Sequence, residues 1–159
     1  MAVLIPDEVS WQVQQFRSEH DKGFSRWPAH ITLFFPFSFA SKDVVATVTN
    51  ACKQTVPFSV RLAKLARNEG SKYLCLEVEG AEPLQKVREQ IGKAMKIEAA
   101  KEKWSAHCTV GQASQEEADQ VLERLQAEFE PIEFVVSELV ILQKDEKGRY
   151  KPEAKIKLK

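Results

Sequence analysis

No apolar run in these 159 residues approaches the length of a bilayer-spanning helix, so no membrane partner is expected. Met1 to Pro6 carries neither a basic leader nor a long apolar core, and no secretory signal is expected there. Cysteine is scarce and odd in number: Cys52, Cys75 and Cys108 form no paired motif. Free, mostly buried thiols in a reducing compartment are the expectation, with cytosol, or nucleus, as the default location. Net charge is absent too. The 23 basic residues balance the 23 acidic ones, which argues against a basic nucleic-acid coat. A small anionic group held in a local pocket fits a neutral total. No linker or low-complexity segment divides the chain, so residues 1–159 are expected to form one domain and, by default, a monomer.

What is present is an ordinary globular alternation of apolar and polar residues. Ala2 to Ile5 reads as a strand stopped by Pro6. Asp7 reads as the N-cap of a helix to about His20, through Val9, Val13 and Phe16. Ala29 to Phe35 reads as a strand limited by Pro36, and Ser41 as the cap of a helix to about Gln54. Phe58, Val60 and Leu62 alternate as a strand. Asn68-Glu69-Gly70 is a turn and Tyr73 to Val78 the return strand. Leu84, Val87, Ile91 and Met95 mark a helix over 81–97, with Pro83 in its first turn. Ala106 to Gln112 is a strand and Ser114 to about Phe129 a helix. Phe134 to Leu142 reads as one long strand that pairs with Tyr150 to Leu158 across the turn Asp145–Gly148. The unit helix, histidine strand, helix, hairpin thus occurs twice. A duplicated order of this kind can bring two equivalent strands to one cleft about a pseudo-twofold axis.

Only three histidines are present, and two share a setting: His30-Ile31-Thr32 and His107-Cys108-Thr109. On a strand, residues two apart point to the same side. Each segment therefore presents an imidazole beside a hydroxyl, with an apolar residue turned away. Imidazole titrates near neutrality, so one histidine can remove a proton while the other delivers one. A neighbouring hydroxyl can donate to a non-bridging phosphate oxygen as the phosphorus becomes five-coordinate. Alternation extends the first face to Phe34 and the second to Gly111, whose missing side chain would leave room in a cleft. His20, on a helix end without such a partner, reads as an ordinary surface residue.

The segments Pro28-Ala29-His30-Ile31-Thr32-Leu33-Phe34-Phe35-Pro36-Phe37 and Ser105-Ala106-His107-Cys108-Thr109-Val110-Gly111-Gln112 resemble the two signatures of the two-histidine (2H) phosphoesterase superfamily. They are most similar to its branch of 2'-5' RNA ligases and cyclic phosphodiesterases. The resemblance covers nearly the whole chain. It implies an α+β, bilobal, pseudo-twofold fold, with two antiparallel sheets flanking a central cleft and helices packed outside. It also implies His30 and His107 as the acid–base pair, Thr32 and Thr109 as phosphate-binding residues, and no metal or other cofactor. Family substrates include 2',3'-cyclic phosphates at RNA ends, 2'-5' linkages, ADP-ribose 1'',2''-cyclic phosphate and the 3' tail of a small nuclear RNA. Ala106 stands where relatives often have proline, with little chemical effect expected.

Four aromatics are candidates for contacting substrate. Tyr73 begins a hairpin strand and shares a face with Cys75 and Glu77; Trp104 and Phe24 precede the two motifs, as does Trp27. Lys93, Lys96, Lys101 and Lys103 form a basic stretch diluted by Glu98 and Glu102, which reads as a solvated surface. No cysteine or histidine spacing resembles a zinc site. The expected function is a metal-independent phosphoesterase acting on an RNA terminus or a small cyclic nucleotide. Two rivals use the same cleft: a non-catalytic module that binds RNA or nucleotide ends, and a 2'-5' RNA end-joining ligase.

Overall fold

The computed structural model describes residues 1–36, 41–67, 71–98 and 104–159. The turn expected at Asn68-Glu69-Gly70, Phe37 of the first motif, and Lys101 and Lys103 of the basic stretch lie outside them. The described elements are β1 (Ala2–Leu4), α1 (Trp11–His20), β2 (His30–Thr32), α2 (Ser41–Ala51), β3 (Phe58–Arg67), β4 (Tyr73–Glu79), α3 (Glu82–Met95), β5 (His107–Gln112), α4 (Ala118–Glu128), β6 (Ile132–Val136), β7 (Glu138–Lys144) and β8 (Tyr150–Lys157). The fold is α+β. Its eight strands form one antiparallel sheet in the order β6-β3-β4-β5-β2-β1-β7-β8, two four-stranded halves joined where β2 meets β5.

β6 lies at one edge of the sheet and β7 next to the other, yet only Ser137 separates them. A single residue can bridge the two only if the sheet curls until its ends approach. The amide of Leu158 donates to the Ser137 carbonyl at 2.9 Å and stitches the end of the last strand to that joint. The long strand expected over Phe134–Leu142 is therefore two strands. Apolar residues stand before and after the break because both pieces are buried: Phe134 and Val136 before it, Leu139 and Val140 after it.

The elements follow local chemistry, with three corrections. The first helix starts at Trp11 rather than after Asp7, because residues 6–10 close turns in which Val9 and Ser10 donate to Pro6 and Asp7 carbonyls. The first histidine strand stops at Thr32. Beyond it the Leu33 and Phe34 amides both donate to the Met1 carbonyl, which ends the alternation. Phe34 is buried and Phe35 is 61% exposed. The third correction concerns Gly111. A Cβ there would lie 2.5 Å from the His20 Cβ, so the glycine lets the end of α1 press onto β5 and opens no space for a ligand. α3 matches its expected apolar stripe, with Leu84, Val87, Ile91 and Met95 all buried; Lys96, in the left-handed region, closes it. α4 begins after a capping box in which the Ser114 hydroxyl donates to the Glu117 carboxylate and accepts from the Glu117 amide.

Across the middle of the sheet the pairs Leu76↔Cys108, Ile31↔Cys108 and Val3↔Ile31 form one row over β4, β5, β2 and β1. All four side chains are essentially inaccessible to solvent and belong to the core. Directly paired residues point to the same side, so this buried row fixes which side its neighbours take. Burying each such aliphatic side chain is worth about 1.5–3 kcal/mol. A one-residue slip in any of these strands would exchange core for cleft.

Candidate functional site

The register that buries Ile31 against Cys108 places His30 across from Thr109 and Thr32 across from His107 when carried one residue either way. All four side chains then stand on the face opposite the buried row. Each pair is extended by its neighbours: Cys75 faces Thr109, Glu77 faces His107, Ala2 faces Thr32 and Leu4 faces His30. The sheet thus brings together the two histidine–threonine pairs read from the sequence, in a crossed arrangement where each imidazole has a hydroxyl beside it along its own strand and another across from it. The four residues are half-buried.

Both rings are oriented in the same way. His30 Nδ1 lies 2.7 Å from the Pro28 carbonyl oxygen and His107 Nδ1 lies 2.9 Å from the Ser105 carbonyl oxygen. A carbonyl only accepts, so each Nδ1 carries its hydrogen and donates. Nε2 is the nitrogen of each ring that this contact leaves available to exchange a proton. Burial lowers the pKa of His30 below its usual 6.5, the Pro28 contact opposes this, and the Arg17 charge adds to the lowering. Burial pushes the Cys108 thiol up to about 12, which leaves it an inert packing residue behind the histidines. All three cysteines are free and buried.

Two hollows meet at His30. The larger, of about 370 Å³, also reaches Thr32 and is walled by Trp27, Phe35, Leu142 and Tyr150. The smaller, of about 180 Å³, reaches Thr109 and holds Arg17, Asp21, Arg26, Tyr73 and Gln112. Tyr73, paired across from Gln112 and 41% exposed, therefore stands beside the histidine–threonine face. Trp104 does not. Its ring lies 5.3 Å from the Arg88 guanidinium, and it lines a separate hollow with Glu82 and Gln85. Phe24 lies 5.6 Å from the Arg17 guanidinium and lines neither hollow. Among the described residues no three His, Cys, Asp or Glu side chains converge as a metal cage.

Three residues carry more of this site than their sequence setting suggested. Trp27 stacks on His30 with centroids 5.2 Å apart, and on Tyr150 at 3.4 Å and 11°. Arg17 is buried at 2% exposure; it bonds the Asp21 carboxylate at 2.9 Å and the Trp27 carbonyl at 2.8 Å, anchoring the segment that leads into β2. Tyr150 reaches the site from the far hairpin, and its amide donates to the Arg26 carbonyl at 2.7 Å. One signal was available: Trp27-Pro28-Ala29-His30-Ile31-Thr32 and Trp104-Ser105-Ala106-His107-Cys108-Thr109 share tryptophan, alanine, histidine and threonine at the same spacing.

A curled antiparallel sheet with helices against it, and two His-x-Thr strands opening onto one face, defines the two-histidine phosphoesterase class. The chain belongs to the 2'-5' RNA ligase superfamily, whose family model matches residues 5–148. Solved structures share the fold. LigT from E. coli, complexed with NADP+, superposes with a TM-score of 0.67 at 16% identity, covering 99% of this chain and 95% of that one. TT0787 of Thermus thermophilus gives 0.59 at 21% identity, covering 99% and 95%. A structure described as a phosphoesterase gives 0.66 at 17% identity, with the same coverage. No curated protein sequence matches the chain. No helix among the described residues is long and apolar enough to cross a membrane.

Proposed function

We propose that this protein is a phosphoesterase that opens 2',3'-cyclic phosphates or cleaves 2'-5' phosphodiesters at RNA ends or in small nucleotides, without a metal. The observation that carries the reading is the register Ile31↔Cys108, which sets two imidazoles and two hydroxyls on one sheet face with each Nδ1 already occupied. One histidine takes the proton of the attacking oxygen while the other delivers one to the leaving oxygen, and burial, which favours neutral His30, suits His30 as the base toward a cyclic phosphate. On a cyclic phosphate, water loses its proton to His30 Nε2 as its oxygen bonds phosphorus. The bond from phosphorus to one ribose oxygen breaks, and that oxygen receives the proton from His107. On a 2'-5' linkage the roles exchange: the neighbouring 3'-hydroxyl gives its proton to His107 as its oxygen bonds phosphorus, the bond from phosphorus to the 5'-oxygen breaks, and that oxygen receives a proton from His30, giving a 2',3'-cyclic phosphate. Thr32 and Thr109 donate to the non-bridging oxygens, where charge builds in the five-coordinate transition state.

The test is a panel of 2',3'-cyclic, 2'-5' and 3'-5' substrates incubated with the protein in chelator, with 2'- and 3'-phosphate products resolved. Turnover of a cyclic or 2'-5' substrate, lost in His30→Ala and in His107→Ala, is the expected result. Tight binding with no turnover anywhere on the panel would make the protein a nucleotide-end binding module. Formation of a 2'-5' linked product from cleaved ends would make it a ligase, the same site run in reverse.

A further inference from the structure

We propose that the larger hollow beside His30 is a nucleobase subsite selective for guanine, read by Glu153 and Lys144. The inference rests on the phosphoesterase reading for its substrate and on separate observations for its specificity. Trp27 and Tyr150 lie flat on each other, and Phe35 stands edge-on to both, at 5.4 Å and 79° from Trp27 and at 6.2 Å and 74° from Tyr150. The three rings make a right-angled corner. A planar base laid on one wall meets the other edge-to-face, the geometry aromatic systems prefer. Phe35 is largely exposed although Leu33 and Phe34 just before it are buried, which leaves an apolar ring face free for a ligand. The hollow's volume, about 370 Å³, lies in the range of small-molecule sites, and it ends on His30 and Thr32. A base in the corner therefore has its ribose phosphate at the reacting face.

The polar end of the hollow supplies the choice of base. Ile141 pairs with Ala154 and Leu142 with Pro152, so Glu153 is the extra residue of a β-bulge in β8. Bulges re-aim a side chain beside functional sites. Glu153 and Lys144 both line the hollow. The flanking lysines of β8 are otherwise engaged, Lys151 with Asp145 and Lys155 with Glu138, and Glu153 has no ion pair among the described residues. A carboxylate only accepts and an ammonium only donates. All four bases carry a donor and an acceptor, but guanine is the one that sets two donors side by side, N1–H and the 2-amino group, for the two oxygens of a carboxylate, while its O6 and N7 accept. Adenine presents a donor where guanine has O6 and no hydrogen at N1. The smaller hollow has no such aromatic corner. Its walls carry Lys22 and Arg26, suited to ribose and a further phosphate, while Arg17 is already held by Asp21 and the Trp27 carbonyl.

The experiment compares the full chain with Glu153→Gln and Phe35→Ala. Turnover is measured on the 2',3'-cyclic phosphates of guanosine, adenosine, cytidine and uridine, and calorimetric binding on 3'-GMP and 3'-AMP. We expect the wild type to favour guanine over adenine by about tenfold, the low end of what one bidentate base contact discriminates. Glu153→Gln should bring the ratio close to one, and Phe35→Ala should weaken binding of both purine nucleotides alike. Turnover with equal use of the four bases, or a guanine preference that survives Glu153→Gln, overturns the subsite and leaves the phosphoesterase reading standing. Absence of turnover together with a 3'-GMP preference that disappears in Glu153→Gln upholds the subsite and overturns the phosphoesterase reading.

Discussion

In both histidine strands the ring is held by its own chain: Nδ1 donates to the carbonyl two residues upstream, Pro28 for His30 and Ser105 for His107. The surroundings then diverge. Trp27 turns onto His30 and Tyr150, while Trp104, at the matching place before the second motif, turns away onto Arg88. An arginine serves each half, but differently. Arg17 binds the backbone at Trp27 and pairs with Asp21. Arg88 lies between the Phe34 and Trp104 rings and donates to the Leu33 carbonyl at 3.2 Å. A duplicated motif thus repeats the orientation of the imidazole and not the pocket around it. Orientation depends on two residues of local backbone; the pocket depends on which distant hairpin arrives, and β8 arrives only beside His30.

The predictions test where the halves are alike and where they part. The largest effect belongs to the likeness. His30→Ala and His107→Ala should each reduce kcat by about 10²–10⁴-fold, the usual worth of one positioned proton transfer, with circular dichroism unchanged. A variant of either histidine that keeps wild-type kcat would remove that half from the chemistry. Next comes a difference. Arg17→Met strands the Asp21 carboxylate, itself only 8% exposed, and should cost about 3–5 kcal/mol in urea unfolding. Adding Asp21→Asn should recover part of the loss, and a double variant no more stable than Arg17→Met would count against a paired charge.

Thr32→Val and Thr109→Val keep shape and remove one donor each, so each should lower kcat/KM about tenfold or somewhat more. Equal losses extend the likeness to phosphate binding. A loss confined to one threonine would break it. Gly111→Ala places a methyl against the His20 Cβ and should cost about 1–3 kcal/mol in chemical denaturation, the usual penalty of overpacking. Activity per folded molecule should not change, since Gly111 faces the helix end rather than a ligand. The smallest effect is one of pH. The pKa of His30 is lowered in the folded chain, so below about 6.5 the unfolded chain binds more protons than the native one. Stability should fall as pH drops from 6.5 through the lowered His30 value. NMR titration of the His30 ring should show a midpoint below 6.5, and a midpoint above it would refute the burial argument.

The order of elements and the facing of the two histidine–threonine pairs were readable because both rest on short-range patterns. Ile31 and Cys108 are apolar between polar neighbours, and that alternation alone puts His30 with Thr32 and His107 with Thr109 on the face away from the core. What could not be read depends on long-range meetings. Locally the break shows only as the polar step Ser137-Glu138 between two apolar runs, which an unbroken half-buried strand also tolerates; the break exists because the sheet curls. The free space expected at Gly111 is occupied by His20, from a helix far earlier in the chain. Trp104 and Trp27 stand in the same sequence frame, and only the arrival of Arg88 at one and Tyr150 at the other separates a packing ring from a cleft wall.

The most direct test of the central claim is product-resolved turnover of a 2',3'-cyclic nucleotide by the wild type and by the double variant His30→Ala/His107→Ala, both in chelator. Ring opening by the wild type and a rate near the uncatalysed one in the double variant, with the fold retained, is the expected result. Ring opening at the wild-type rate in the double variant would contradict it.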